Sequence, residues 1–183
     1  MKRIGSKVSI LSIALLALLF AFTLAGCTKF EPGNPLAEQE VGGGSPEEAV
    51  QQFFLSMENK DFDTYIKLVP PAFLEGGDGQ PIPDEDLQKL KENWESDQWE
   101  AKFMAIELKL NEEESNENHA VVEVVGGQVR YIGKDMFNTN EYKVDDFKDK
   151  PGRIVLDKVE GTWKITGGGE LGDEKEWQTP PAE

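Results

Sequence analysis

The feature that most limits what this chain can fold into is its cysteine usage: there is one, Cys27, and it closes an apolar leader. Lys2, Arg3 and Lys7 open the chain without an acid, and Val8 to Ala25 then run almost entirely apolar into Gly26-Cys27. A basic start, an apolar stretch and small residues at its end have the layout of an export signal. The positive end stays on the cytoplasmic side while the apolar run enters the translocon. If Cys27 is consumed by processing, everything after it must fold without disulfides or cysteine-ligated metal. Stability must then come from an apolar core, and the remaining length suits one domain of ordinary size.

The tetrapeptide Leu24-Ala25-Gly26-Cys27 resembles the lipobox of bacterial lipoprotein precursors. That resemblance implies cleavage between Gly26 and Cys27, diacylglycerol on the Cys27 sulfur, and a mature protein anchored to a membrane with its domain on the extracytoplasmic side of the cell envelope. Two or three acyl chains hold where a single chain gives only marginal binding. Two alternatives stay open. An uncleaved transmembrane helix is one, since about 18 apolar residues approach a spanning length. The other is an ordinary secretory signal with a bystander cysteine, although a single leftover thiol is unusual in a secreted protein.

Charge narrows the partners. The chain holds 19 basic and 35 acidic residues, a formal charge of −16, and removal of the three basic leader residues takes the exported part to about −19. Such a surface repels nucleic acid and anionic headgroups over a Debye length of about 8–10 Å, so no nucleic-acid partner is expected. The acidity also serves solubility without any specific role.

Four regions are expected: a signal peptide over 1–26, the lipidated cysteine and a flexible tether over 27–44, a folded domain over 45–167, and an acidic, disordered tail over 168–183. The tether reading rests on Pro32, Gly33, Pro35 and the Gly42-Gly43-Gly44 run. At about 17 residues it would hold the domain roughly 20–25 Å from the lipid. Trp177 is the tail's only aromatic residue.

Within the domain, Ser45-Pro46 followed by Glu48 predicts a capping box with proline at the first helical position. Ala49, Val50, Phe53, Phe54 and Met57 form the apolar stripe of that helix. A second helix is expected from Asp61, with Phe62, Tyr65, Ile66 and Val69 on one face and Pro70-Pro71 as its stop. A third, charged helix from Asp84 should bury Leu87, Leu90 and Trp94. The period then changes to two. Met104, Ile106, Leu108 and Leu110 predict the inner face of an antiparallel strand, and His119 to Ile132 a longer one with a bulge at Gly126-Gly127. An edge strand is expected around Tyr142 to Phe147, and a last hairpin over Arg153 to Val159 and Thr162 to Thr166, turning at Glu160-Gly161. Helices first and strands after make an α+β chain, N-terminal helices packed on a curved antiparallel sheet.

Ser45 to Val50 with Phe53-Phe54, then Lys60-Asp61-Phe62-Asp63, and finally Gly161-Thr162-Trp163-Lys164-Ile165 resemble the nuclear transport factor two-like (ketosteroid-isomerase-like, cystatin-like) superfamily, and within it small lipoproteins of unknown function. The resemblance implies a cone whose bent sheet wraps the first helix, often with a pocket at the open end. Enzymes of that superfamily place an Asp base, a Tyr donor or a His–Asp pair inside the cone, and no such set matches residue by residue. Tyr65 and Tyr131 face inward by pattern, Asp135 follows the long strand, and His119, the only histidine, shares strand parity with Glu123 on the outer face.

Candidate pocket-lining residues are Phe54, Tyr65, Ile106, Tyr131 and Trp163, positions equally expected of a packed core. No catalytic residue, cofactor or metal site is assigned. Asp78, Asp84, Glu85 and Asp86, and the Glu112-Glu113-Glu114 run, lack the spacing that wraps calcium. The expectation is therefore a non-enzymatic module that binds a small apolar ligand or another envelope protein. An isomerase, dehydratase or hydrolase using a buried Asp or Tyr, and a purely structural envelope protein, are the alternatives.

Overall fold

A computed structural model describes residues 28–29, 40–75, 79–134, 140–168 and 173–174. The leader, Gly26, Cys27, Asp78, Asp135 and Trp177 lie outside the described residues. Helix α1 (Pro46–Glu58) starts where the sequence predicts: the Glu48 amide donates to Ser45 Oγ at 3.2 Å and the Ser45 amide to Glu48 Oε2 at 2.8 Å. Two amides that a helix start leaves without partners are thereby satisfied. Lys60, at φ 56°, reverses the chain, and Asp61 caps α2 (Phe62–Leu68) by accepting from the Thr64 amide at 3.0 Å. A 3-10 turn (Pro71–Leu74) and α3 (Asp84–Trp94) follow.

Five strands make the body of the sheet: β2 (Trp99–Leu110), β3 (His119–Lys134), β4 (Asn140–Asp146), β5 (Gly152–Val159) and β6 (Thr162–Gly168). Short β1 (Thr28–Lys29) and β7 (Asp173–Glu174) extend it, and all pairings are antiparallel. Strand β3 organises the whole. One edge pairs with β2 along nearly its full length, while the other pairs with β5 over His119–Val124 and with β4 over Gln128–Lys134. The sheet forks and bends between those two stretches, at Gly126-Gly127. Gly127 takes φ +90°, and a Cβ there would lie 2.5 Å from the Ala105 carbonyl oxygen, so only glycine fits this close crossing.

The bent sheet closes on α1. Ala49, Val50 and Phe54 of α1 join Leu68, Phe103, Ile106, Leu108, Val122, Val124, Val129, Leu156 and Trp163 in one buried cluster. Phe54 stacks on Phe103 with ring centroids 4.6 Å apart. Gln51, Gln52 and Ser56 are buried as well, because the helix is covered on more than one side. The α+β architecture, helices ahead of a curved antiparallel sheet, is the expected one.

Local corrections have physical causes. Met104 does not share a face with Ile106: Ala101 and Phe103 point inward, Ala105 takes φ 49° in a bulge, and the parity changes before Ile106, Leu108 and Leu110. None of Leu87, Leu90 and Trp94 is buried: Leu87 and Trp94 are half-buried and Leu90 is 41% exposed, because α3 lies outside the cone and is held through its end. There Trp94 meets Tyr65 at 4.0 Å, Phe62 at 6.2 Å and Trp99 at 4.9 Å, while Lys91 Nζ reaches Asp63 at 2.9 Å. β4 is not a free edge at its end, since Asp145 and Asp146 pair with Glu174 and Asp173 inside the stretch expected to be a disordered tail.

The expected tether departs furthest. Gly42 is buried, its amide donates to Gln52 Oε1 at 2.8 Å, and its carbonyl accepts from the Trp163 amide at 2.7 Å. Val41 packs against the core, and Thr28–Lys29 pair with Leu108 and Glu107. The chain before Ser45 is thus part of the domain at both of its described ends.

Candidate functional site

Two places concentrate features a ligand would need. The first is a groove of about 340 Å³ on the wall of the domain, between α2 and the tip of the β5–β6 hairpin. Ile66 and Val69 come from α2 and its end, Pro71 and Leu74 from the 3-10 turn, Pro81 from the returning loop, and Val159 from the hairpin. Pairing of Glu75 with Pro81, and of the Ile82 amide with the Leu74 carbonyl at 2.9 Å, fixes the loop that forms one wall. The hairpin wall is fixed by Lys164 Nζ, which donates to the Lys67 carbonyl at the end of α2. Apolar walls therefore carry a rim of Glu75, Glu160, Thr162 and Lys164. Its size falls at the lower end of the range for small-molecule sites, about 300–1,000 Å³.

The second place is inside the cone. Asp145 is fully buried and pairs in register with Val129, two residues before Tyr131 on the same face of β3. The Tyr131 hydroxyl is pushed up to about 12, first by burial and then by the Asp145 charge. On the neighbouring parity, Gln128 Nε2 donates to Asp146 Oδ2 at 3.0 Å, and both side chains are buried. A buried carboxylate beside a tyrosine that stays protonated sets an acceptor next to a donor in apolar surroundings. Nothing in the sequence marks Asp145. One more acid in so acidic a chain carries no sign of depth, and the Lys143-Val144-Asp145 alternation puts it on the polar parity.

No family model matches this sequence, and no curated protein matches it. Among solved structures, a putative calcium/calmodulin dependent protein kinase II association domain from Xanthomonas campestris superposes with a TM-score of 0.38 at 13% identity, covering 71% of this chain and 89% of that one. At that score the likeness carries no argument, and the fold rests on the pairings and burial described above.

The five residues expected to line a pocket divide between two clusters. Phe54, Ile106 and Trp163 are buried in the main core, with Tyr131 packed against it. Tyr65 stands in the aromatic group of Phe53, Phe62 and Trp94, with its hydroxyl raised by burial. None of the five lines the groove. The groove escaped the sequence because its walls come from α2 and from a hairpin some ninety positions later.

His119 lies at the start of β3 on the outer face, as expected, but with an unforeseen partner. Its Nδ1 is 2.7 Å from Asp157 Oδ1, and Thr166 Oγ1 donates to Asp157 Oδ2 at 2.7 Å. Those two hydrogen bonds hold the Asp157 carboxyl below its ordinary range, the His119 bond first. The side chains of His119 and Asp157 are 40% and 46% exposed, so the pair sits on an open sheet face. Glu85 and Asp86 are engaged by Lys89 at 2.9 and 3.1 Å, and Glu114 by Arg153 at 2.6 Å. Among the described residues no group of three or more His, Cys, Asp or Glu could hold a metal ion, and no helix is long and apolar enough to cross a membrane.

Proposed function

We propose that this chain is a lipoprotein held on the extracytoplasmic side of a membrane by acyl chains on Cys27, and that its domain is a non-enzymatic binding module for a small, largely apolar ligand. The groove between α2 and the β5–β6 hairpin is the observation that carries the binding reading. It is apolar, of ligand size, and braced on both walls. Its charged rim suits a ligand with one polar end, since a few placed polar groups on apolar walls give orientation. The anchor rests on the lipobox resemblance at Leu24-Ala25-Gly26-Cys27.

The test is native mass spectrometry of the protein extracted from membranes in mild detergent, beside Val159→Trp, which fills the groove from the hairpin side. A co-purifying small molecule present on the parent and reduced at least tenfold on the variant, with unchanged circular dichroism, is the expected result. Equal retention by both proteins, or capture of an envelope protein with no small molecule, would refute a ligand in this groove.

A second reading is favoured by one observation, the burial of Asp145 beside Tyr131. An enzyme of isomerase, dehydratase or hydrolase type would use the Asp145 carboxylate as base and the Tyr131 hydroxyl as donor to a developing oxyanion. Turnover of a carbonyl compound that Asp145→Asn abolishes and Val159→Trp leaves intact would replace the first reading with this one.

A further inference from the structure

We infer that the domain lies on its membrane by the β1–β2 edge of the sheet, docked directly at the lipidated residue instead of hanging from a tether. The inference rests on the lipoprotein reading of Cys27. Thr28 pairs with Leu108 and Lys29 with Glu107, so the strand that borders β2 starts one residue after Cys27. The acylated residue is thus one peptide unit, about 3.8 Å between Cα atoms, from the sheet edge, where an unstructured tether of about 17 residues would leave roughly 20–25 Å. At its other described end the same segment is fastened by Gly42 to Gln52 and Trp163, so both ends of residues 30–39 belong to the domain.

Charge agrees with that edge as the one nearest the lipid. β2 carries Lys102 and Lys109 against Glu100 and Glu107, a balanced edge in a chain of net charge −16, so it is repelled less by anionic headgroups than the surface around it. The rest of the acidic surface is held away from the headgroups, where anionic lipid would repel it within about a Debye length. The groove faces elsewhere. From β1 the sheet runs through β2, β3 and β5 to β6, four steps of about 4.8 Å, so the hairpin tip stands nearly 20 Å across the sheet from the anchored edge. Docking by β1 leaves the groove open to the extracytoplasmic space.

Full-length protein carries the test. Because Cys27 is the only cysteine and lipidation consumes it, a new cysteine is the only free thiol. Lys109→Cys and Glu160→Cys, both at exposed positions, take a fluorophore, and the lipidated proteins are placed in phosphatidylcholine vesicles containing a nitroxide-headgroup lipid. The inference expects at least twofold stronger quenching at 109 than at 160. Equal quenching overturns it. Lys29→Cys with Glu107→Cys should in addition form a disulfide in isolated membranes, and its absence overturns the pairing even if either labelled variant folds poorly. Fatty-acid labelling separates the two readings. A protein without label on Cys27 refutes the lipoprotein itself, whereas a labelled protein with equal quenching and no disulfide refutes only the docking.

Discussion

Gly42→Ala discriminates between a glycine-rich tether and a docked segment, because the two give opposite answers. At φ +73° an alanine is strained by about 1 kcal/mol or somewhat more. Its Cβ would also lie 2.7 Å from the Trp163 carbonyl oxygen, a backbone atom that cannot swing aside. Relief requires the segment to lift, which stretches the Trp163 amide to Gly42 carbonyl bond of 2.7 Å and the buried Gly42 amide to Gln52 bond of 2.8 Å. Each such bond contributes about 1 kcal/mol, and the Gln52 oxygen left unpaired inside the domain costs at least as much again. The expected loss is about 3 kcal/mol, or a fall of roughly 10 °C in Tm for a domain of this size. Urea unfolding followed by tryptophan fluorescence measures it. Gln52→Ala on its own and in combination closes a double-mutant cycle, for which the bond predicts a coupling of about 1 kcal/mol. A loss under about 0.5 kcal/mol for Gly42→Ala, additive with Gln52→Ala, would refute the docking of Gly42 and restore the tether.

Two further predictions concern charge. Glu58 ends α1, where the helix dipole disfavours an acid, and its Oε2 is buried with no hydrogen-bond partner among the described residues. Burial raises its pKa, against Lys102, so its ionisation weakens the fold as pH rises through the carboxylate range; because the group is partly exposed and screened, Glu58→Gln should gain no more than about 0.5 kcal/mol at pH 7 and nothing at pH 3, read from urea midpoints at the two pH values. Asp157 has the opposite sign: its carboxyl is held low by His119 and Thr166, so its contribution is complete above the ordinary value of 3.8 and is lost as pH falls through its lower folded value. Because the pair is partly exposed, Asp157→Asn should cost no more than about 1 kcal/mol at pH 7 and less at pH 2, and an equal cost at both would sink the pairing.

What could be read in the sequence follows from how local its cause is. The capping box of Ser45 and Glu48 and the Glu160-Gly161 turn are short-range geometry, so both were legible. Strand parity in β2 is legible only beyond the bulge, from Ile106 on, because Ala105 leaves register to accommodate the crossing at Gly127 on another strand. Gly42-Gly43-Gly44 misled for a different reason: a glycine run has the same composition whether it is loose or packed too tightly to admit a Cβ. Asp145 and the groove were invisible. Depth belongs to the fold, and neither an acid in an acid-rich chain nor two apolar stretches ninety positions apart announce that they will share a site.

Tyr131 decides what the interior of the cone can do. With its hydroxyl pushed up to about 12 it remains a proton-bearing donor at every physiological pH, so in the enzyme reading Tyr131 would be the donor and the base would have to be a carboxylate such as Asp145. The same displacement predicts an alkaline signature. The unfolded tyrosine ionises near 10.0, the folded one near 12, so the Tyr131 contribution to stability is constant below pH 10 and should fall by about 1.4 kcal/mol per unit above it, a loss of roughly 2–3 kcal/mol by pH 12. Tyr131→Phe removes that part of the alkaline slope and leaves the part due to Tyr65, whose hydroxyl burial also raises, and Asp145→Asn reduces the Tyr131 part without abolishing it, because burial is the larger cause. Urea midpoints measured at pH 9, 10 and 11 read both effects. If Tyr131→Phe leaves the alkaline slope unchanged, the hydroxyl is in contact with water, and the acceptor and donor that the enzyme reading requires are not held together inside the cone.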